Sequence, residues 1–150
     1  MNSSLSVVLS DHHKVCDEEW ASVEQCVSEK RWPEAATVMK KFCDAMTLHL
    51  SIEESTVFPA FEMATGVTQG PTRVMLHEHN QMRALLDDLN AALLKKDTDA
   101  FLGAGETLLV LMQQHNFKEE NMLYPACDDA LAQDAALVKD VVTKLEARHE

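Results

Sequence analysis

The sequence predicts an all-α fold, an antiparallel up-down four-helix bundle with a short C-terminal fifth helix, and three observations carry that expectation. The composition favours Ala, Leu, Met, Glu, Lys and Gln over β-branched and aromatic residues, with only four Gly and four Pro in 150 residues, and shows no alternating strand pattern. Four long segments repeat apolar residues at spacings of three, four and seven, the period of a helix with one buried face. The stretch from His49 to Ala60 also occurs a second time, from His115 to Ala126. His, Glu, Glu, Pro and Ala recur there in register at a constant offset of 66 positions, and the pairs Val57/Leu123 and Phe58/Tyr124 keep their character. This is an internal repeat. A chain of 150 residues, 46% hydrophobic, suits one domain over 1–150 with one core.

The first helix is expected from a cap at Ser4 or Ser6 to about Lys30, with Leu9, Cys16, Trp20, Val23 and Val27 on one stripe. His13 falls in that stripe, while His12 lies about 100° round the helix. Trp32-Pro33 breaks the chain, and Pro33 opens a second helix that presents Val38, Met39, Phe42, Cys43, Met46, His49, Ile52, Glu53 and Thr56 on one broad face. Thr65 to Pro71 is the one sizeable loop, holding Gly66 and Gly70 and placing Pro71 at the start of the third helix. That helix turns Met75, His79, Met82, Leu86, Leu89 and Leu93 inward and ends near Lys95-Lys96, whose charges suit a C-terminus. Asp97 or Thr98 caps a fourth helix presenting Phe101, Leu108, Leu111, Met112, His115, Glu119 and Met122, which Pro125 ends or kinks. A fifth helix, capped by Asp134, covers the bundle with Leu137, Val138, Val141, Val142 and Leu145.

Thirteen basic against 25 acidic residues, a net charge of -12, argues against a nucleic-acid or anionic-membrane surface. No apolar run approaches the roughly 18 residues of a membrane span, and the first ten residues lack the positive region of a secretion signal, so a cytoplasmic location is expected. Cys16, Cys26, Cys43 and Cys127 show no CxxC spacing and read as small buried hydrophobes.

The chemistry lies in polar residues that interrupt the core stripes. At i and i+4, His49 with Glu53 and His115 with Glu119 each present an imidazole and a carboxylate to one point. The offset of 66 also relates His13 to His79, and Cys16, Trp20, Val23 and Val27 to Met82, Leu86, Leu89 and Leu93. Two helical hairpins thus bring four imidazoles and two carboxylates to the middle of a bundle. Two metals bridged by both carboxylates, each with two His, satisfy all six groups, and imidazole with carboxylate suits iron better than a structural zinc. Glu54 and Glu120 turn off this face and read as solvated or capping residues, and His77 as a surface or inter-helix residue. Glu146 with His149 makes the chain's one ExxH, the ferritin spacing, but stands alone.

With these residues in place, the chain resembles the hemerythrin-like proteins, the HHE cation-binding domains. Their HxxxEExxxFP hallmark, and a helix containing Glu-His, look like His49 to Pro59, His115 to Pro125 and Glu78-His79. The resemblance implies a non-haem, oxo- or hydroxo-bridged di-iron centre, with one iron on His13 and His49, the other on His79 and His115, and Glu53 and Glu119 bridging. The acid-His dipeptide aligns Asp11-His12 and points to His12 instead, whereas periodicity and the constant offset favour His13. Oxygen carriers that resemble this chain have a further His one turn before His79, where Met75 stands here, and their iron-sulfur-repairing relatives often carry a Cys-Cys segment absent from this chain. The expected function is binding of dioxygen, nitric oxide or peroxide for sensing, buffering or protection. The alternatives are a di-iron enzyme reducing peroxide or donating iron to damaged clusters, and an interaction module held together by metal.

Overall fold

A computed structural model describes residues 4–147, and His149, the partner of Glu146 in the ExxH pair, lies outside them. The described residues form an all-α bundle. The first helix is Leu5–Ser28, capped by the Ser4 hydroxyl, which accepts from Val7 N at 3.1 Å. The second runs through residues 32–65 and the third spans Pro71–Leu94. The fourth runs through residues 98–130, its N-cap Asp97 accepting from Ala100 N at 3.1 Å, and Ala135–Ala147 is the fifth. The first and third helices both lie between the second and fourth, whose C-terminal segments also meet. Within each hairpin the connection is a short turn with a lysine in the left-handed region, Lys30 at φ 57° and Lys96 at φ 54°. Arg31 N and Asp97 N there reach back to Cys26 O and Ala92 O, so the sequence repeat extends to the turns.

The two long helices are not uniformly α. Glu53–Val57 and Glu119–Leu123 are π-helical, and the N–H groups of Phe58 and Tyr124 bond to the carbonyls of Glu53 and Glu119, five residues back. The prolines that follow are the local cause. Pro59 and Pro125 have no N–H to give the preceding turn, and their rings crowd the carbonyl four residues back, so a widened turn relieves the clash while the helix continues. Pro125 therefore does not end the helix, which continues to Ala130. Each π turn inserts one residue and so advances the buried face. Met122, expected inward, is 69% exposed, and Leu123 and Tyr124 are buried instead; in the first copy Val57 and Phe58 are buried where Thr56 is half-buried.

Two apolar clusters divide the interior. One, around Trp20, Phe42, Met82, Leu89, Phe101 and Leu108, fills the end with the intra-hairpin turns. The other joins Leu9, Ile52, Phe58, Met75, Leu123 and Tyr124 to Val141 and Leu145 of the fifth helix. Between them the polar residues of the repeat form a layer.

Gly105 lets the fourth helix approach the Trp20 indole of the first cluster closely. A Cβ there would lie 2.6 Å from Trp20 Cζ2 and 2.8 Å from Cη2. The indole has little room to retreat, since its ring packs 5.1 Å from Phe42 and 5.9 Å from Phe101. Gly105→Ala is therefore expected to destabilise the fold by about 1–3 kcal/mol despite the better helix propensity of Ala. In a thermal melt this is a fall of roughly 3–10 °C. An unchanged midpoint would show that the indole repacks freely.

Candidate metal centre

The four helices supply the donors symmetrically, with His13 from the first, His49 and Glu53 from the second, His79 from the third, and His115 and Glu119 from the fourth. All six are buried, and Glu53, His79 and Glu119 have no exposed surface. The structure brings all six sequence-picked residues together. Glu53, His79, His115 and Glu119 each offer a donor atom within 4.8 Å of the others, and so do His13, His49 and Glu119.

Both carboxylates reach both halves of this arrangement. Glu53 Oε1 lies 3.1 Å from His79 Nε2, and its Oε2 lies 3.5 Å from His49 Nε2. Glu119 Oε1 lies 3.0 Å from His13 Nε2 and 3.2 Å from His115 Nε2. Yet Glu53 Oε1, His79 Nε2, His115 Nε2 and Glu119 Oε2 are all buried without a hydrogen bond. These four atoms come one from each member of a metal-capable tetrad. Leaving such atoms unsatisfied costs about 1–3 kcal/mol apiece. Lone pairs converging without hydrogen-bond alignment are what a shared cation requires, because two donors about 2.1 Å from one ion and at right angles lie about 3.0 Å apart. The residues therefore fit a bound metal ion.

The far nitrogen of each imidazole is also engaged. His13 Nδ1 donates to Glu120 at 2.7 Å, His79 Nδ1 to Glu54 at 2.7 Å and His115 Nδ1 to Glu78 at 2.8 Å. These bonds leave the Nε2 lone pair pointing at the centre and fix the ring orientation. Glu54 and Glu120 were expected to be solvated or capping residues. Instead each crosses to a histidine of the other hairpin, because the side chain just past the site face, on the π turn, reaches the neighbouring helix. Arg83 and Lys118 pair with Glu54 and Glu78 in turn. His49 differs, since its Nδ1 lies 2.9 Å from His12 Nδ1, with the two rings stacked at 5.1 Å. His12 thus stands behind His49, at the repeat position where Glu78 stands behind His115, and both His12 and His13 are buried. His77 is exposed, as expected.

Charge follows from this packing. Burial and the facing charge of Glu53 raise the Glu119 carboxyl, whereas His49, Glu119 and His79 hold Glu53 well below the usual carboxylate range against the cost of burial. Burial opposes a charge on His115, but Glu119, Glu53 and Glu78 outweigh it and bring its pKa to about 9. Burial lowers His13 in spite of its bond to Glu120. Burial and the two nearby carboxylates push Tyr124 well above its ordinary value. The site is a buried pocket of carboxylates and imidazoles, bordered on its other flank by a small cavity whose walls include Cys16, Met46, Met82 and Met112.

Residues 4–127 match a known family, described as Hemerythrin: Hemerythrin HHE cation binding domain. No curated protein and no solved structure matches the chain.

Proposed function

The chain belongs to the Hemerythrin HHE cation binding domain family, and from that premise we propose that its cluster holds two irons. In this reading His13 and His49 hold one, His79 and His115 hold the other, and Glu53 and Glu119 bridge them. The pair binds dioxygen, nitric oxide or peroxide in a sensing, buffering or protective role inside the cell. The observation that carries the reading is the set of four buried, unsatisfied atoms on Glu53, His79, His115 and Glu119. Imidazole and carboxylate donors in this ratio suit iron and leave positions for a small ligand. When bound, the irons supply redox electrons and open coordination positions.

The chain's own part is positional and electrostatic. Glu120, Glu54 and Glu78 hold three of the imidazoles with Nε2 forward. The apolar clusters on either side exclude water, which strengthens each electrostatic contact inside. The cavity beside His13, His49 and His115 is too small for an organic substrate, which favours a diatomic or peroxide.

Elemental analysis and a visible spectrum of protein made in iron-replete medium test the reading, and about two irons per chain are expected. His13→Ala should lower the iron content more than His12→Ala, since His13 faces Glu119 whereas His12 faces the back of His49. Protein with neither iron nor a substituting metal would sink the proposal. Stopped-flow mixing of the reduced protein with dioxygen then separates reversible binding from turnover.

A further inference from the structure

The two halves of the cluster differ at the repeat position of Phe58 and Tyr124, and the Tyr124 hydroxyl lies among the donor atoms. Tyr124 and Phe58 are repeat equivalents, and each directly follows a π turn. Their rings stack on equivalent histidines in the same way, Tyr124 on His13 at 5.6 Å and 23°, and Phe58 on His79 at 5.7 Å and 23°. One half therefore has a phenol where the other has a bare ring.

The hydroxyl is surrounded by the donors of its own half. It lies 2.6 Å from Glu53 Oε2, 2.9 Å from Glu119 Oε1, 3.1 Å from His13 Nε2 and 3.2 Å from His49 Nε2. Tyr124 has no exposed surface. A phenol has one proton to give and two lone pairs to offer, so it cannot hydrogen-bond to all four of these neighbours at once. Four neighbours at about 3 Å are instead what a donor at one vertex of a six-coordinate ion has as its cis ligands.

We propose that Tyr124 is itself a metal ligand, its phenolate completing the coordination of the ion held by His13 and His49, while the ion held by His79 and His115 lacks a counterpart. The inference rests on the two-metal reading above and makes its halves chemically unequal. As the metal enters, the phenol O–H bond breaks, an oxygen lone pair forms the bond to the metal, the proton leaves to solvent, and no electron changes hands. The hard phenolate favours the ferric state of that ion over the ferrous, so its partner would be the more easily reduced of the two.

The test loads the full chain with ferric iron and records its visible absorption and resonance Raman spectra. A phenolate-to-iron charge-transfer band is expected, with the ring modes of a coordinated tyrosine enhanced on excitation within it. Tyr124→Phe should abolish both while still binding two irons, since Phe58 shows that a bare ring fits the equivalent place. Two irons without tyrosinate modes in the wild-type protein would overturn the phenolate and leave the two-metal reading standing, and this measurement needs no variant to fold. A band that survives in Tyr124→Phe would overturn it equally. Failure of the wild-type protein to take up iron would overturn the two-metal reading, and the phenolate with it.

Discussion

Glu53→Ala and Glu119→Ala are each expected to release both metals, whereas His49→Ala weakens chiefly one. The difference follows from reach. Glu53 sends one oxygen toward His79 and the other toward His49, and Glu119 Oε1 lies within 3.2 Å of both His13 and His115. Removing either carboxylate takes a donor from both ions at once and cancels half of the negative charge that two cations would neutralise. His49 serves one half only. Loss of an outer partner of a metal ligand typically lowers affinity about 10–100-fold, so loss of a bridging ligand should exceed that range at both sites. Metal content measured after dialysis against a weak chelator reads the result directly. Equal, partial losses from all three variants would argue against bridging.

The second large effect is on stability. Without metal, four buried atoms in one layer go unsatisfied and two carboxyls face each other across it. Ions that bind the folded state alone shift the unfolding equilibrium by about 4 kcal/mol when present at 1,000 times their dissociation constant. For a chain of this size that corresponds to a midpoint about 8–16 °C higher than in chelator-treated protein. Calorimetry of loaded and stripped samples measures it. Identical midpoints would mean that the layer tolerates its unsatisfied atoms without help, and the argument from them would fail.

The helical segments, the hairpin pairing and the six inward donors were legible in the sequence because each depends on spacing along one chain segment. A doubled HxxxE shows up as a repeat however the bundle closes, and the cap at Asp97 and the proline at 71 need only local chemistry. What was not legible depends on a second helix or on a local change of pitch. Glu54 and Glu120 sit one residue past the site face, and a uniform 3.6-residue period turns them to solvent. Only the distance between adjacent hairpins brings them to His79 and His13. Met122 was misplaced for a related reason, since the same period cannot register a widened turn ahead of Pro125. That proline was itself the available signal. A proline six residues after each glutamate, within a segment whose apolar pattern continues beyond it, is a helix that has absorbed an extra residue rather than one that has stopped. For His12 and His13, two adjacent histidines are both buried, which a single stripe does not anticipate.

The joining of the hairpins into one polypeptide has a consequence of its own. Two identical hairpins meeting across a two-fold axis would supply the same six donors, but the axis would force every residue to appear twice. Such a dimer could have a phenol in both halves or in neither, and the same group behind both of its equivalent imidazoles. A tandem chain is free of that constraint. Position 58 can be Phe while 124 is Tyr, and 12 can be His while 78 is Glu. Covalent linkage lets a site built by duplication become polar, with one end distinguishable from the other, so that a ligand arriving between the two halves meets a left and a right.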